Sequence, residues 1–253
     1  MSAVDVTEHE KRTLQHGGVS AFWSLSAAAL FLASAVFQLL ASLQRWIIFA
    51  RSQPAYRAED HLFDYSYPIE PWESIGTAAQ LFGIGVLLLA FGLVPMALGV
   101  ITLPRPAPGG SFLGNLIDVI VALLVAGSFA LHGAHALLSG VSDTASPLQQ
   151  YATLGWVSLI GLCILAVRWW RRSAAAMMTS IFLIGSTGLG YYLAAFFVAS
   201  LFAGYTSHDT TPWTETVIGG WTAAAGVAMI FAAVVAARSS HLFAGKPAGL
   251  LDP

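Results

Sequence analysis

Two histidines three residues apart, His132 and His135, stand near one end of a long apolar stretch. That spacing puts both imidazoles on one helix face. Such a pair can place two nitrogens on one metal, give a haem one ligand and a neighbour, or relay protons, because neutral and charged imidazole are close in energy near neutral pH. His61 and His208 fall in loops expected at the same face, next to Asp60, Asp64 and Asp209. The candidate metal ligands are therefore His132, His135, His61, His208, Asp60 and Asp64. Nitrogen and oxygen donors of this kind suit zinc, copper or iron, so a transition metal or haem is the cofactor class they imply. The competing reading has His132 and His135 bonded across helices and His61 and His208 solvated in loops. The HExxH zinc spacing is absent.

Asp118 is the acid that falls inside an expected span, about two turns from its end, with Asn115 one turn earlier on nearly the same face. An ionisable group in hydrocarbon is costly, which makes it a functional hypothesis by default. Asp118, Asn115, His132 and His135 are accordingly the candidates for transport or a proton relay. The alternative makes Asp118 an interfacial carboxylate bonded to Asn115 or to a neighbouring helix, which its shallow depth favours. Gly185-Ser186-Thr187-Gly188-Leu189-Gly190 reads chiefly as a close-packing surface of the kind that lets membrane helices associate, with a thin-walled substrate path or a serine nucleophile as the other readings. Gln38 and Gln80 read as interhelical bonds before binding groups.

The elements that must position these groups follow from composition. Of 253 residues, 57% are hydrophobic and 9% charged, at a net charge of -2. Soluble domains carry about 25% charge, so the composition specifies a membrane protein. A helix needs about 20 apolar residues to cross the hydrocarbon. Six stretches qualify, over Ala21–Gln44, Ile75–Leu103, Phe112–Leu138, Ala152–Val167, Ala174–Phe202 and Thr216–Ala237. The expectation is an all-α, polytopic integral membrane helical bundle of about six transmembrane helices. A cytoplasmic tail over 1–20 leads into the transmembrane domain over 21–238, which carries an acidic, aromatic outer loop over 51–74. A second cytoplasmic tail follows over 239–253. That loop is either a lid or a cap lying on the headgroups.

Charge sets the expected orientation. With the N-terminus inside, Arg105, Arg168, Arg171, Arg172 and Arg238 are cytoplasmic and only Arg45, Arg51 and Arg57 lie outside, as positive-inside asymmetry requires. Both termini are then cytoplasmic, and the Ala-rich composition suits a bacterial plasma membrane. Three outer loops end alike, in Glu70-Pro71-Trp72-Glu73, Ser146-Pro147-Leu148-Gln149 and Thr211-Pro212-Trp213-Thr214-Glu215. These read either as three repeated helical hairpins or as ordinary helix starts, where Pro and a capping Ser or Thr are common.

Cys163 is the single cysteine, which excludes a disulfide framework. Eleven basic residues in a near-neutral chain leave no footprint for nucleic acid. Walker A and dinucleotide motifs are missing, and no residue is singled out as catalytic. A non-enzymatic role is therefore favoured: a small-solute or ion transporter or channel, or a membrane subunit of a larger complex. The alternatives are a metal- or haem-dependent enzyme with its site on the outer face, and a structural or assembly protein. The expected partners are the lipid bilayer and a second copy or other membrane proteins.

Overall fold

In hydrocarbon every backbone amide and carbonyl must find a partner within the chain, and coiling into helices achieves this segment by segment. The computed structural model describes residues 3–52, 61–103, 112–204 and 211–244, with side chains from 17 to 238 within those ranges. Helix α1 covers Ala3–Leu43 and continues through a π-helical turn over Gln44–Phe49. Helices α2 (Ala78–Ile101) and α3 (Phe112–Ser142) follow. A 3-10 segment over Pro147–Leu154 then leads into α4 (Gly155–Trp169). Helix α5 (Ala174–Ile184) is short, and α6 (Gly188–Leu193) runs on through a second π-helical turn, Ala194–Ala199. Helix α7 (Thr214–Ala244) ends the bundle. No strand occurs among the described residues.

Five of these helices are long and apolar enough to cross a membrane, and the bent pair Ala174–Ile184 with Gly188–Ala203, counted as one span, brings the number to six. Each span packs on its neighbours in the chain, and α7 returns to pack along α1, so the six close into a ring. Two departures from the expected spans matter for function. The first span runs on to Ser52, which carries Arg45 inside the bundle and not into a loop. The fifth is broken by 70° at Gly185–Thr187. The three Pro-containing loop ends also differ locally. Pro71 follows a cis peptide bond well ahead of α2, Pro147 opens the 3-10 segment behind a Ser146 cap, and Pro212 precedes a positive-φ Trp213.

Close packing of α2 on α3 sets the register of the histidine helix. A Cβ on Gly83 would lie 2.5 Å from the Leu137 amide nitrogen, and one on Gly133 would lie 2.9 Å from the Gly83 carbonyl oxygen. Small residues let the two backbones meet in this way where no hydrophobic drive pushes helices together. Gln80 Nε2 adds a bond to Gly140 O at 2.7 Å, one turn further along the seam. Gly133 lies between His132 and His135, so this contact holds both imidazoles against the segment that leads into α2. Gly83→Ala forces backbone atoms apart and is expected to lower stability by about 1–3 kcal/mol. Gly127→Ala, with nothing within 4 Å of the new methyl, is expected to be near neutral. Thermal unfolding of the purified protein in detergent separates the two; equal midpoints would contradict the close-contact account.

Candidate functional site

A stripe of polar residues at helical spacing joins α1 to α7. Gln38 Nε2 donates to Ser34 Oγ at 2.9 Å and to Thr222 Oγ1 at 3.4 Å. Ser42 Oγ bonds Thr216 Oγ1 at 2.6 Å. At the end of the stripe, Arg45 Nη1 donates to Glu215 Oε1 at 2.9 Å, and Trp46 Nε1 donates to Glu215 Oε2 at 2.8 Å. Arg45 and Glu215 are 0% and 1% exposed, so a complete ion pair is enclosed away from solvent. The π-helical turn over Gln44–Phe49 brings Arg45 and Trp46 together onto the α7 side. Glu215 stands in the first turn of α7, where an acid also meets the positive end of the helix dipole.

The broken span supplies a second part. Gly185, Ser186 and Thr187 amides bond the carbonyls of Phe182, Leu183 and Ile184 at 2.9 to 3.0 Å, so a tight turn satisfies the backbone where the α-helix stops. Thr187 Oγ1 donates to Ile184 O at 2.7 Å, and Ser186 Oγ bonds Thr222 Oγ1 on α7 at 2.9 Å. Glycine is required here by close approach: a Cβ on Gly190 would sit 2.1 Å from the Gly185 carbonyl oxygen, and one on Gly185 would sit 1.9 Å from the Trp221 ring. Gly185 and Gly190 thus serve packing, and the packing they permit is a fold-back of the chain on itself, whereas a Cβ on Gly188 would meet nothing within 4 Å. Helix α5 rises roughly 16 Å over its eleven residues before the break, about half the thickness of a bilayer core of about 30 Å.

The third part is the segment over 61–77, which folds back onto the bundle. Phe63, Tyr65 and Trp72 are buried, and Phe63 stacks on Phe49 with centroids 4.8 Å apart. The aromatics of this loop therefore point into the bundle. Asp64 Oδ1 accepts from the Ser66 amide at 2.9 Å and from its hydroxyl at 2.7 Å. Both histidines hold the same segment. His132 Nε2 bonds Ser66 O at 2.8 Å, and His135 Nε2 bonds Pro68 O at 2.9 Å. A carbonyl only accepts, so Nε2 carries the proton in each ring. His135 Nδ1 then accepts from Ser146 Oγ at 2.9 Å, which uses both of its nitrogens, while His132 Nδ1 keeps its lone pair. Tyr67 packs against both rings and donates to Gln149 O at 3.1 Å.

Between the loop, α3, α4 and the break lies a cavity of about 420 Å³. Its wall includes Asp64, Tyr67, His132, Ser158, Thr187 and Tyr191. This volume lies in the range of small-molecule sites. The structure thus brings Asp64, His132 and His135 to one cavity, while His61 is exposed on a short 3-10 turn ahead of it. Asp60 and His208 lie outside the described residues. Among the described residues no group of three or more His, Cys, Asp or Glu side chains converges as metal ligands.

Asp118 stands at the opposite end of α3. It is fully buried, it takes the guanidinium of Arg168 on one oxygen, and Arg172 Nη1 binds the other at 2.6 Å. Arg168 Nη2 also donates to Gly114 O at 2.8 Å, which ties the last turn of α4 to the start of α3. Asn115 is half-buried on that same turn of α3. Asp118 and His132 are thus separated by roughly 20 Å along the helix and belong to different sites. Two residues of the cavity end escaped the sequence reading. Glu215 fell one residue before its span and was counted with the loop acids, and Arg45 was placed outside. The stripe of Ser34, Gln38, Ser42 and Trp46 at intervals of four, facing an acid at a helix start, was the signal available.

Comparison with protein-family models, with curated proteins and with solved structures finds no match to this chain.

Glu215→Ala removes the carboxylate that the buried Arg45 and Trp46 bond and is expected to cost about 3–5 kcal/mol, whereas Arg45→Met combined with Glu215→Leu recovers most of that loss. Unfolding midpoints of the single and double variants decide it, and an additive loss would speak against the pair. The loop phenols give a pH test. Burial, reinforced by Glu215 and opposed by Arg45, holds Tyr65 well above its ordinary value, and burial raises Tyr67. An unfolded chain ionises both near pH 10, so the stability they carry is complete below that value and is lost as pH rises through the folded-state values. An alkaline absorbance titration should show late phenols that Tyr65→Phe and Tyr67→Phe each reduce; ordinary titration of both would refute the docked loop.

Proposed function

We propose that the chain is a plasma-membrane transporter that binds a small polar solute in the cavity beside the broken span. The observation that carries this reading is the cavity's place at a discontinuous helix, about halfway through the expected bilayer. Broken helices near the midplane are how many transporters present polar backbone and hydroxyl groups to a solute without exposing them to lipid. The cavity combines an apolar, aromatic wall with a few convergent polar groups, the composition typical of a small-molecule site.

In this reading each part has a role. The segment over 61–77 is the lid, held by His132, His135 and Tyr67. His132 presents its free Nδ1 as the acceptor for a solute proton. Ser186 and Thr187 line the broken backbone, and the Arg45–Glu215 pair fixes α1 against α7 behind it. Asp118 locks the other end of α3 through two arginines. Charge asymmetry supports an outward-facing cavity: Arg168, Arg171, Arg172 and Arg238 gather at one end of the spans, while Asp64, Glu70, Glu73, Asp143 and Glu215 gather at the other.

The test is uptake into liposomes reconstituted with the purified chain, with panels of small cations, zwitterions, sugars and anions. At least one class should enter faster than into empty vesicles. Ala152→Cys, at the cavity wall, should lose that uptake after reaction with a bulky maleimide, in a background where the exposed Cys163 is serine. No uptake of any class by folded protein, or uptake indifferent to the label, would overturn the transporter reading.

A further inference from the structure

We infer that the cavity takes an organic ammonium cation, held by the Asp64 carboxylate and by aromatic faces. This rests on the reading of the cavity as a solute site and names the chemistry of the solute. Among the described lining residues Asp64 is the only acid and none is Lys or Arg. Its Oδ1 is bonded by Ser66, and among the described residues no cation pairs with it. The neighbouring Arg45 is already bound to Glu215. Among the described lining residues the Asp64 carboxylate is therefore the one full formal charge at the cavity wall. An anionic solute is repelled there, and a cation gains a charge-assisted contact in a site of low dielectric.

The rest of the wall narrows the class. Tyr67, Phe82, Phe129, Tyr151, Tyr191 and Tyr192 give six aromatic side chains around the cavity. Ring faces attract alkylammonium groups, whose charge is spread over an apolar surface. A bare metal ion fits poorly: about 420 Å³ is far larger than one ion, and no group of three or more ligating side chains meets among the described residues. His135 has both nitrogens occupied within the protein, so it adds neither charge nor a ligand.

The experiment is isothermal titration calorimetry of the purified full chain in detergent with choline, tetramethylammonium and 3,3-dimethylbutan-1-ol, the uncharged analogue of choline. Choline and tetramethylammonium should bind, and the alcohol should bind at least about tenfold more weakly. Asp64→Asn keeps an amide oxygen to accept from Ser66, so the loop can stay folded, and it should weaken choline by about tenfold or more. Tyr192→Leu should weaken it several-fold. Equal binding of choline and the alcohol, or choline affinity unchanged in Asp64→Asn, would overturn the cation assignment and leave the cavity as a site for a neutral solute. The comparison of the two ligands on wild-type protein needs no variant to fold. If neither the cations nor the alcohol bind, and the uptake panel also fails, both the ligand class and the transporter reading fall.

Discussion

The buried pair of Arg45 and Glu215 is the interaction on which the arrangement of this bundle depends. Two opposite charges with no exposure to solvent tolerate only one relative position of the helices that carry them, because a slip of one turn would leave each alone in apolar surroundings. The pair joins the first span to the last, so it sets where the ring closes. Trp46 adds a second donor to the same carboxylate, and Gln38 and Ser42 extend the seam with neutral bonds that follow the register the ions impose. Net stabilisation is a secondary matter for such a pair; what it supplies is a single allowed alignment.

From that alignment the cavity follows. With α7 fixed, Ser186 bonds Thr222 and Gly185 lies against the Trp221 ring, where the fifth span folds back. On the other side, the glycine contact between α2 and α3 presents His132 and His135 to the loop. The loop's carbonyls are polar groups in a place with little water, and imidazole N–H groups satisfy them. The same histidines that suggested metal or proton chemistry are thus first of all donors that hold the loop down. His132 is left with one nitrogen for other use.

The fold was legible in the sequence because hydropathy and span length are strong, additive signals. The six expected stretches correspond to five whole helices and one bent pair. Details were lost wherever the deciding contact joins residues far apart in the chain. Asp118 stood out as an acid in an apolar run, yet its partners Arg168 and Arg172 were indistinguishable from the interfacial arginines that mark any cytoplasmic end. Arg45 and Glu215 each sit at the margin of a hydropathy window, where a loop charge and a buried charge read alike. The break was hidden for a different reason. Gly185 to Gly190 lie within one long apolar stretch, and nothing local distinguishes glycines that admit a neighbouring helix from glycines that admit the chain's own return.

The bend in the fifth span also changes what the surrounding lipid must do. With α5 along the bilayer normal, its roughly 16 Å of rise is followed by sixteen residues inclined at 70°, which add only roughly 8 Å of height. That side of the bundle therefore presents about 24 Å of apolar height to acyl chains that span about 30 Å, with Phe196, Phe197, Leu201 and Phe202 exposed along the inclined half. For a pair that crosses as one span, local thinning of the lipid is one way to meet that height, at a cost that grows with each ångström of mismatch. Acyl-chain length thereby acts as a mechanical load on one wall of the cavity, and the membrane itself becomes one of the variables that set its shape.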